Sequence, residues 1–171
     1  LRGRVHEEQA IIDARGVEMI EGYFKDKALL VTGGAGFLGK FVVEELRRRG
    51  ARKILTPRSR EYDLTEERQV KRLFEEAGPI DVVIHLAAVA GGIGFNREHP
   101  AEVFYGNIMM NTLVMEYARQ NGVEKFVGIG SVCEYPKFAP VPFRETSLWE
   151  GYPEETNAPY GLAKKMMLVQ G

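Results

Sequence analysis

An apolar run, Ala28-Leu29-Leu30-Val31-Thr32, breaks on Gly33, Gly34, Gly36 and Gly39, and the chain resumes from Phe37 to Leu46 with the apolar spacing of a helix. Little else fits that order: a buried parallel strand feeds a helix through a turn where side chains would obstruct something. A pyrophosphate suits the gap, because a helix start offers free N–H groups and the positive end of a dipole. Gly33 or Gly34 would turn the chain with positive φ, Gly36 would let backbone approach the phosphates, and Gly39 would let helix and strand pack closely. With Phe37 and Leu38 at the helix start, these positions form a candidate dinucleotide cradle. The spacing fits G-x-x-G-x-x-G from Gly33 and G-x-G-x-x-G from Gly34; the competing reading is a purely structural glycine turn.

From Ala28 onward strand and helix signals alternate, the mark of a parallel sheet wound with crossover helices. Strands are predicted at Ala28–Thr32, at 53–56 ahead of Pro57, at a short segment near 62–64, at 82–87 and at 125–130. Helices are predicted from Phe37 to Arg49 with Gly50 as stop, after a Thr65 N-cap to Gly78, from Pro100 to Asn121, and from about Asn157 to the chain end. Gly91-Gly92-Ile93-Gly94 reads as a loop. The expected fold is α/β, a doubly wound, Rossmann-like parallel sheet of order 3-2-1-4-5. Residues 1–22, charged around a few aliphatics, read as a solvated extension, with a short amphipathic helix as the alternative; 23–171 form the nucleotide-binding domain.

A length of 171 residues suits one domain with a real core. The net charge of −1 makes no electrostatic case for nucleic acid or an anionic membrane, and no apolar run approaches the roughly 20 residues that span a bilayer. One cysteine, Cys133, excludes an internal disulfide and suits a reducing compartment, with cytoplasm the default. No metal-ligand cluster is expected.

In such sheets ligands bind beyond the carboxyl ends of the strands. Gly33–Gly39, the stretch that opens with Ala87 and Ala88, and Ser131–Cys133 all fall there. After the second strand Arg58 and Arg60 precede any acid, which favours NADP over NAD, because arginine accommodates a ribose 2′-phosphate where a carboxylate would meet the 2′-hydroxyl. The bland alternative is a solvated loop edge. Asp63, beside Leu64, lies where it could meet the adenine amino group or cap a turn.

Tyr160 and Lys164 stand four residues apart, on one helix face. A phenol near pKa ~10 is too weak an acid for neutral pH unless an ammonium stabilises its phenolate, and the same lysine can reach a nicotinamide ribose. Ser131 can hydrogen-bond a carbonyl that receives hydride. An ordinary exposed helix pair is the alternative.

Together Thr32–Gly39, His85-Leu86-Ala87-Ala88, Asn107, Ser131 and Tyr160/Lys164 resemble the extended short-chain dehydrogenase/reductase superfamily. Ala90–Ile93, Ser131–Lys137 and Glu154–Tyr160 resemble its GDP-L-fucose synthase branch, the 3,5-epimerase-4-reductases of GDP-4-keto-6-deoxymannose. That resemblance implies a nucleotide-sugar substrate, NADP, Ser131 as carbonyl donor, Cys133 as epimerisation base, and Tyr160 with Lys164 as the reductase pair. By its chemistry alone Cys133 reads equally as a small buried hydrophobe. Asn107 would steady the lysine through a water or cap the core. Neither His85 nor His99 stands where the family's partner acid belongs, and Ala35 replaces an arginine that some members use on phosphate. The family's acid histidine, sixth strand and substrate domain follow the tyrosine helix, so the chain alone is expected to bind cofactor weakly and to turn over little or nothing. Helices 100–121 and 159–170 would form a homodimer interface, or their methionines would fill an ordinary core. An NAD-dependent nucleotide-sugar 4-epimerase or dehydratase, which does not need Cys133, and a non-catalytic dinucleotide-binding module are the competing functions.

Overall fold

β1, Ala28–Thr32, is buried at all five positions and forms the centre of the molecule. The computed structural model describes residues 22–171, so nearly all of the extension expected at 1–22 lies outside the described residues. Around β1 stand β2 (Lys53–Leu55), β3 (Val82–His85) and β4 (Lys125–Gly128), all parallel, in the order β2-β1-β3-β4. Leu30 faces Leu55 on one side and Val83 on the other, and Thr32 pairs with His85.

Side chains alternate across a strand, so β1 supplies two cores. Ala28 and Leu30, with Val83, pack against Val70, Leu73, Phe74 and Ala77 of α2 (Glu67–Ala77) and Val114 and Ala118 of α4 (Pro100–Gln120). Leu29 and Val31, with Val82 and Ile84, pack against Val43 and Leu46 of α1 (Phe37–Arg48). Burying one such aliphatic side chain contributes roughly 2 kcal/mol. The sheet is therefore doubly wound, with helices on both faces. Each helix has a local cause. The apolar residues of α2 recur at helical spacing and Gly78 stops it at φ +67°. Pro100 presets the first turn of α4, and Arg119 complements its last.

Four expectations are corrected. Residues 62–64 form no strand, because their backbone is satisfied locally. Tyr62 N–H donates to the Arg58 carbonyl at 2.9 Å and Asp63 N–H to Gln69 Oε1 at 3.0 Å. The Asp63 carboxylate accepts from both N–H and hydroxyl of Thr65, which is thereby diverted from capping α2; β2 is the sheet edge. The glycine-rich stretch is not all loop: Gly92, at φ +79°, opens α3 (Gly92–Glu98), and the Phe95 side chain folds over Gly91 where a Cβ would be 2.4 Å away. The last helix divides at Met166 into α5 (Ala158–Lys165) and α6 (Met167–Gln170).

Candidate active site

β1 delivers Gly33 at φ +67°, and the turn closes with Gly36 N–H donating to the Gly33 carbonyl at 2.9 Å. A Cβ on Gly33 would lie 2.9 Å from the Ala87 nitrogen, and one on Gly39 only 2.3 Å from the Gly33 carbonyl oxygen. These contacts are with backbone, so neither glycine can be replaced without moving the turn. Gly36 is the N-cap of α1, and no side chain among the described residues caps the helix there. The leading N–H groups remain free for an anion.

Beside this turn a cleft of about 790 Å³ runs between the ends of β1, β2 and β3. Of the predicted cofactor residues, Gly33, Gly36, Arg58, Asp63, Leu64, Ala87 and Ala88 line it. Its volume suits a drug-sized or nucleotide-sized ligand. Other predicted residues stand elsewhere. Arg60 pairs with Glu61 at 3.4 Å and lines a separate surface groove with Arg68 and Arg72. Phe37 and Leu38 do not line the cleft and are exposed to solvent. Gly39 contributes packing. Asn107, fully buried, accepts from Val89 N–H and donates to the Val89 and Val103 carbonyls, so it bears on the cleft by fixing the loop after β3.

The second cluster is built on a 3-10 turn, Val132–Glu134, just past β4. Ser131 Oγ accepts from Cys133 N–H at 3.1 Å, and Glu134 Oε1 accepts from Ser131 N–H at 2.5 Å, a reciprocal capping box. α5 docks on this turn at Gly161, where a Cβ would be 2.0 Å from the Cys133 carbonyl oxygen. That contact places Tyr160, the residue before Gly161, and Lys164, one helical turn on, against the Ser131–Glu134 turn. These four predicted catalytic residues do not line the 790 Å³ cleft. They are joined to it through α4, which lends Gly106 and Met110 to the cleft and packs on α5.

Lys164 is 2% exposed, and no hydrogen bond holds its ammonium among the described residues. Burial pushes its pKa down, and the Glu134 carboxylate opposes that. The phenol of Tyr160 does not follow the expectation that lysine lowers it: burial, then the neighbouring Cys133 and Glu134, push it up. Glu134 went unnoticed in the sequence. It is 5% exposed, and burial raises its carboxyl above the usual range. Its signal was legible, since Ser-x-x-Glu is the capping-box pattern.

Residues 29–170 match the NAD dependent epimerase/dehydratase family. The chain is similar to a putative GDP-L-fucose synthase 2 of Arabidopsis thaliana, 36% identical over 155 residues, 89% of this chain and 47% of that protein. It is similar to the GDP-L-fucose synthase of Escherichia coli K12, 35% identical over 136 residues, 80% of this chain and 42% of the relative. Among solved structures it resembles a GDP-L-fucose synthetase from Naegleria fowleri bound to NADP, with a TM-score of 0.75 and 30% identity, over 86% of this chain and 43% of that one. The chain thus spans under half the length of the curated relatives it matches.

Proposed function

Because the chain belongs to the NAD dependent epimerase/dehydratase family, we propose that it is the cofactor-binding part of an NADPH-dependent GDP-sugar 3,5-epimerase-4-reductase of the GDP-L-fucose synthase kind. The observation that supports this reading is the close approach of Gly161 to the Cys133 carbonyl, which brings the turn that carries Cys133 against the helix that carries Tyr160 and Lys164. A 4-epimerase or dehydratase has no use for that thiol. The names of the relatives point the same way.

The residues present suit the cofactor. The glycine turn leaves no room for Cβ atoms, α1 opens uncapped, and Lys164 makes no side-chain hydrogen bond among the described residues. Bound NADPH supplies the hydride for the C4 carbonyl of the keto-sugar. The Gly33–Gly39 turn receives the pyrophosphate, Arg58 the ribose 2′-phosphate, and Lys164 a ribose hydroxyl. Tyr160, kept protonated by its surroundings, gives its proton to the C4 oxygen, to which Ser131 donates a hydrogen bond. Protons at C3 and C5 are acidic because the enolate delocalises into the ketone, and the Cys133 thiolate removes them. Their return on the opposite ring face needs a second acid. His85 is buried against the sheet and His99 stacks on Phe95, so neither serves.

Calorimetric titration of the chain with NADPH and NADH tests the reading. NADPH is expected to bind at least tenfold more tightly, and Arg58→Ala to erase the difference. Failure to bind either nucleotide, or a preference for NADH, would refute it.

A further inference from the structure

Behind the glycine turn lies a file of buried polar groups that the mechanism above does not use. Thr32 Oγ1 accepts from Ala87 N–H at 3.2 Å and lies 2.7 Å from His85 Nδ1. His85 Nε2 is 2.9 Å from Asn111 Oδ1, and Asn111 Nδ2 donates to the Ala163 carbonyl at 3.1 Å. Thr32, His85 and Asn111 are each at most 1% exposed, so no bulk water completes the set.

The two ends fix the direction of every bond. Ala87 contributes a backbone N–H and can only donate; Ala163 contributes a carbonyl and can only accept. Asn111 must therefore turn its NH₂ to Ala163 and its oxygen to the imidazole, which makes Nε2 the protonated nitrogen. Nδ1 is then bare and accepts the Thr32 hydroxyl proton. The opposite tautomer would set two acceptors face to face at Asn111 or leave the hydroxyl proton without an acceptor, each a costly buried mismatch.

We propose that His85 is a positioning residue: as the neutral Nε2–H tautomer it connects Thr32, one residue before the glycine turn, through Asn111 to the backbone of α5, so that cofactor seat and catalytic helix are held in one register. Ala163 lies immediately before Lys164, the residue whose free ammonium must meet the ribose. The file thus sets the distance between the turn that grips the pyrophosphate and the side chain that grips the sugar. This rests on the proposed function for its purpose, but its chemistry stands on the hydrogen bonds alone. The ring is well insulated: Phe126 lies 5.9 Å away, and the charged group that acts on it is Lys164, which together with burial disfavours protonation.

Long-range ¹⁵N–¹H spectra of the labelled chain read the tautomer directly, and with three histidines in 171 residues assignment is tractable. His85 is expected as Nε2–H, unchanged from pH 8 to pH 5.5. An Nδ1–H imidazole, or one that titrates across that range, would overturn the proposal without any variant being made. Asn111→Leu removes the acceptor at the far end; the proton is expected to move to Nδ1, and NADPH affinity to fall about tenfold although Asn111 does not line the cleft. Thr32→Ser, which keeps the hydroxyl, is expected to retain both tautomer and affinity. Wild-type affinity in Asn111→Leu would end the positioning role. If the parent chain binds no NADPH, the proposed function fails, and the tautomer still decides whether the relay exists.

Discussion

His85, Glu134 and Lys164 are each at most 5% exposed, and their burial acts on the charged form of each. The imidazole is pushed down to about 4, first by burial and then by Lys164. Near neutral pH it is uncharged in both folded and unfolded chains. As the pH falls below about 6.5 the unfolded chain takes up a proton that the folded one refuses until about 4, so stability drops across that window. Between pH 7 and pH 5 the loss is about 2 kcal/mol. Glu134 works in the opposite sense: its raised carboxyl stabilises the fold at low pH, and that share is lost as pH rises through its folded value. His85→Gln separates the two, since it cannot take a proton. Urea midpoints are expected to fall more steeply from pH 7 to 5 in the parent than in His85→Gln; parallel curves would contradict the assignment. The spacing of Tyr160 and Lys164 was readable in the sequence, but the upward shift of the phenol was not. It arises first from burial and then from Cys133 and Glu134, which reach Tyr160 only when a separate turn is packed beneath it.

At the level of elements, the site depends on how closely α5 can approach the turn after β4. Gly161 is the point of contact, and the atom a Cβ would meet, the Cys133 carbonyl oxygen at 2.0 Å, is backbone. No side-chain rotation relieves that clash, so Gly161→Ala must lift α5 or deform the turn. Overpacking of this kind costs about 2 kcal/mol. Denaturant unfolding is expected to show that loss, with NADPH affinity reduced as Lys164 is carried outward; an unfolding free energy within about 0.5 kcal/mol of the parent would mean that α5 is not seated on the turn. β1 and α1 could be read in advance because glycine spacing and an apolar run are local signals. The supposed strand at 62–64 could not, because its apolar character says nothing of Gln69, which takes the Asp63 N–H. At 91–94 glycine content suggested loop, yet a single positive φ at Gly92 is what starts α3.

For the molecule as a whole, the parallel order and the binding rim follow from alternation alone, since crossover connections leave few arrangements of a sheet with helices on both faces. The pairing of two chains lies beyond that rule and has to be argued from surface. α4 is apolar on more of its circumference than the core uses. Val103, Met110, Val114 and Ala118 are buried, while Phe104, Ile108, Thr112 and Met115 form a second stripe at helical spacing that is exposed or only half-buried. Leu168 and Val169 of α6 add exposed apolar surface, and Gln170 of α6 bonds the Thr112 carbonyl beside that stripe. A helix apolar on two faces is buried on two faces or it invites association. Two-fold pairing through α4 and the α5–α6 segment, the arrangement the family resemblance implies, would cover this surface with the roughly 800 Å² per partner typical of a stable interface. Met110 and Met167 already belong to the buried interior, so the half-buried Ile108, Met109, Met115 and Met166 are the residues left to serve it. Sedimentation equilibrium is expected to give twice the 19.2 kDa chain mass at micromolar concentration. Ile108→Glu, which places a charge on the stripe without entering either core, is expected to give the single-chain mass with unchanged circular dichroism. A parent chain that sediments as a monomer at 100 μM would remove the pairing and leave the methionines to ordinary packing.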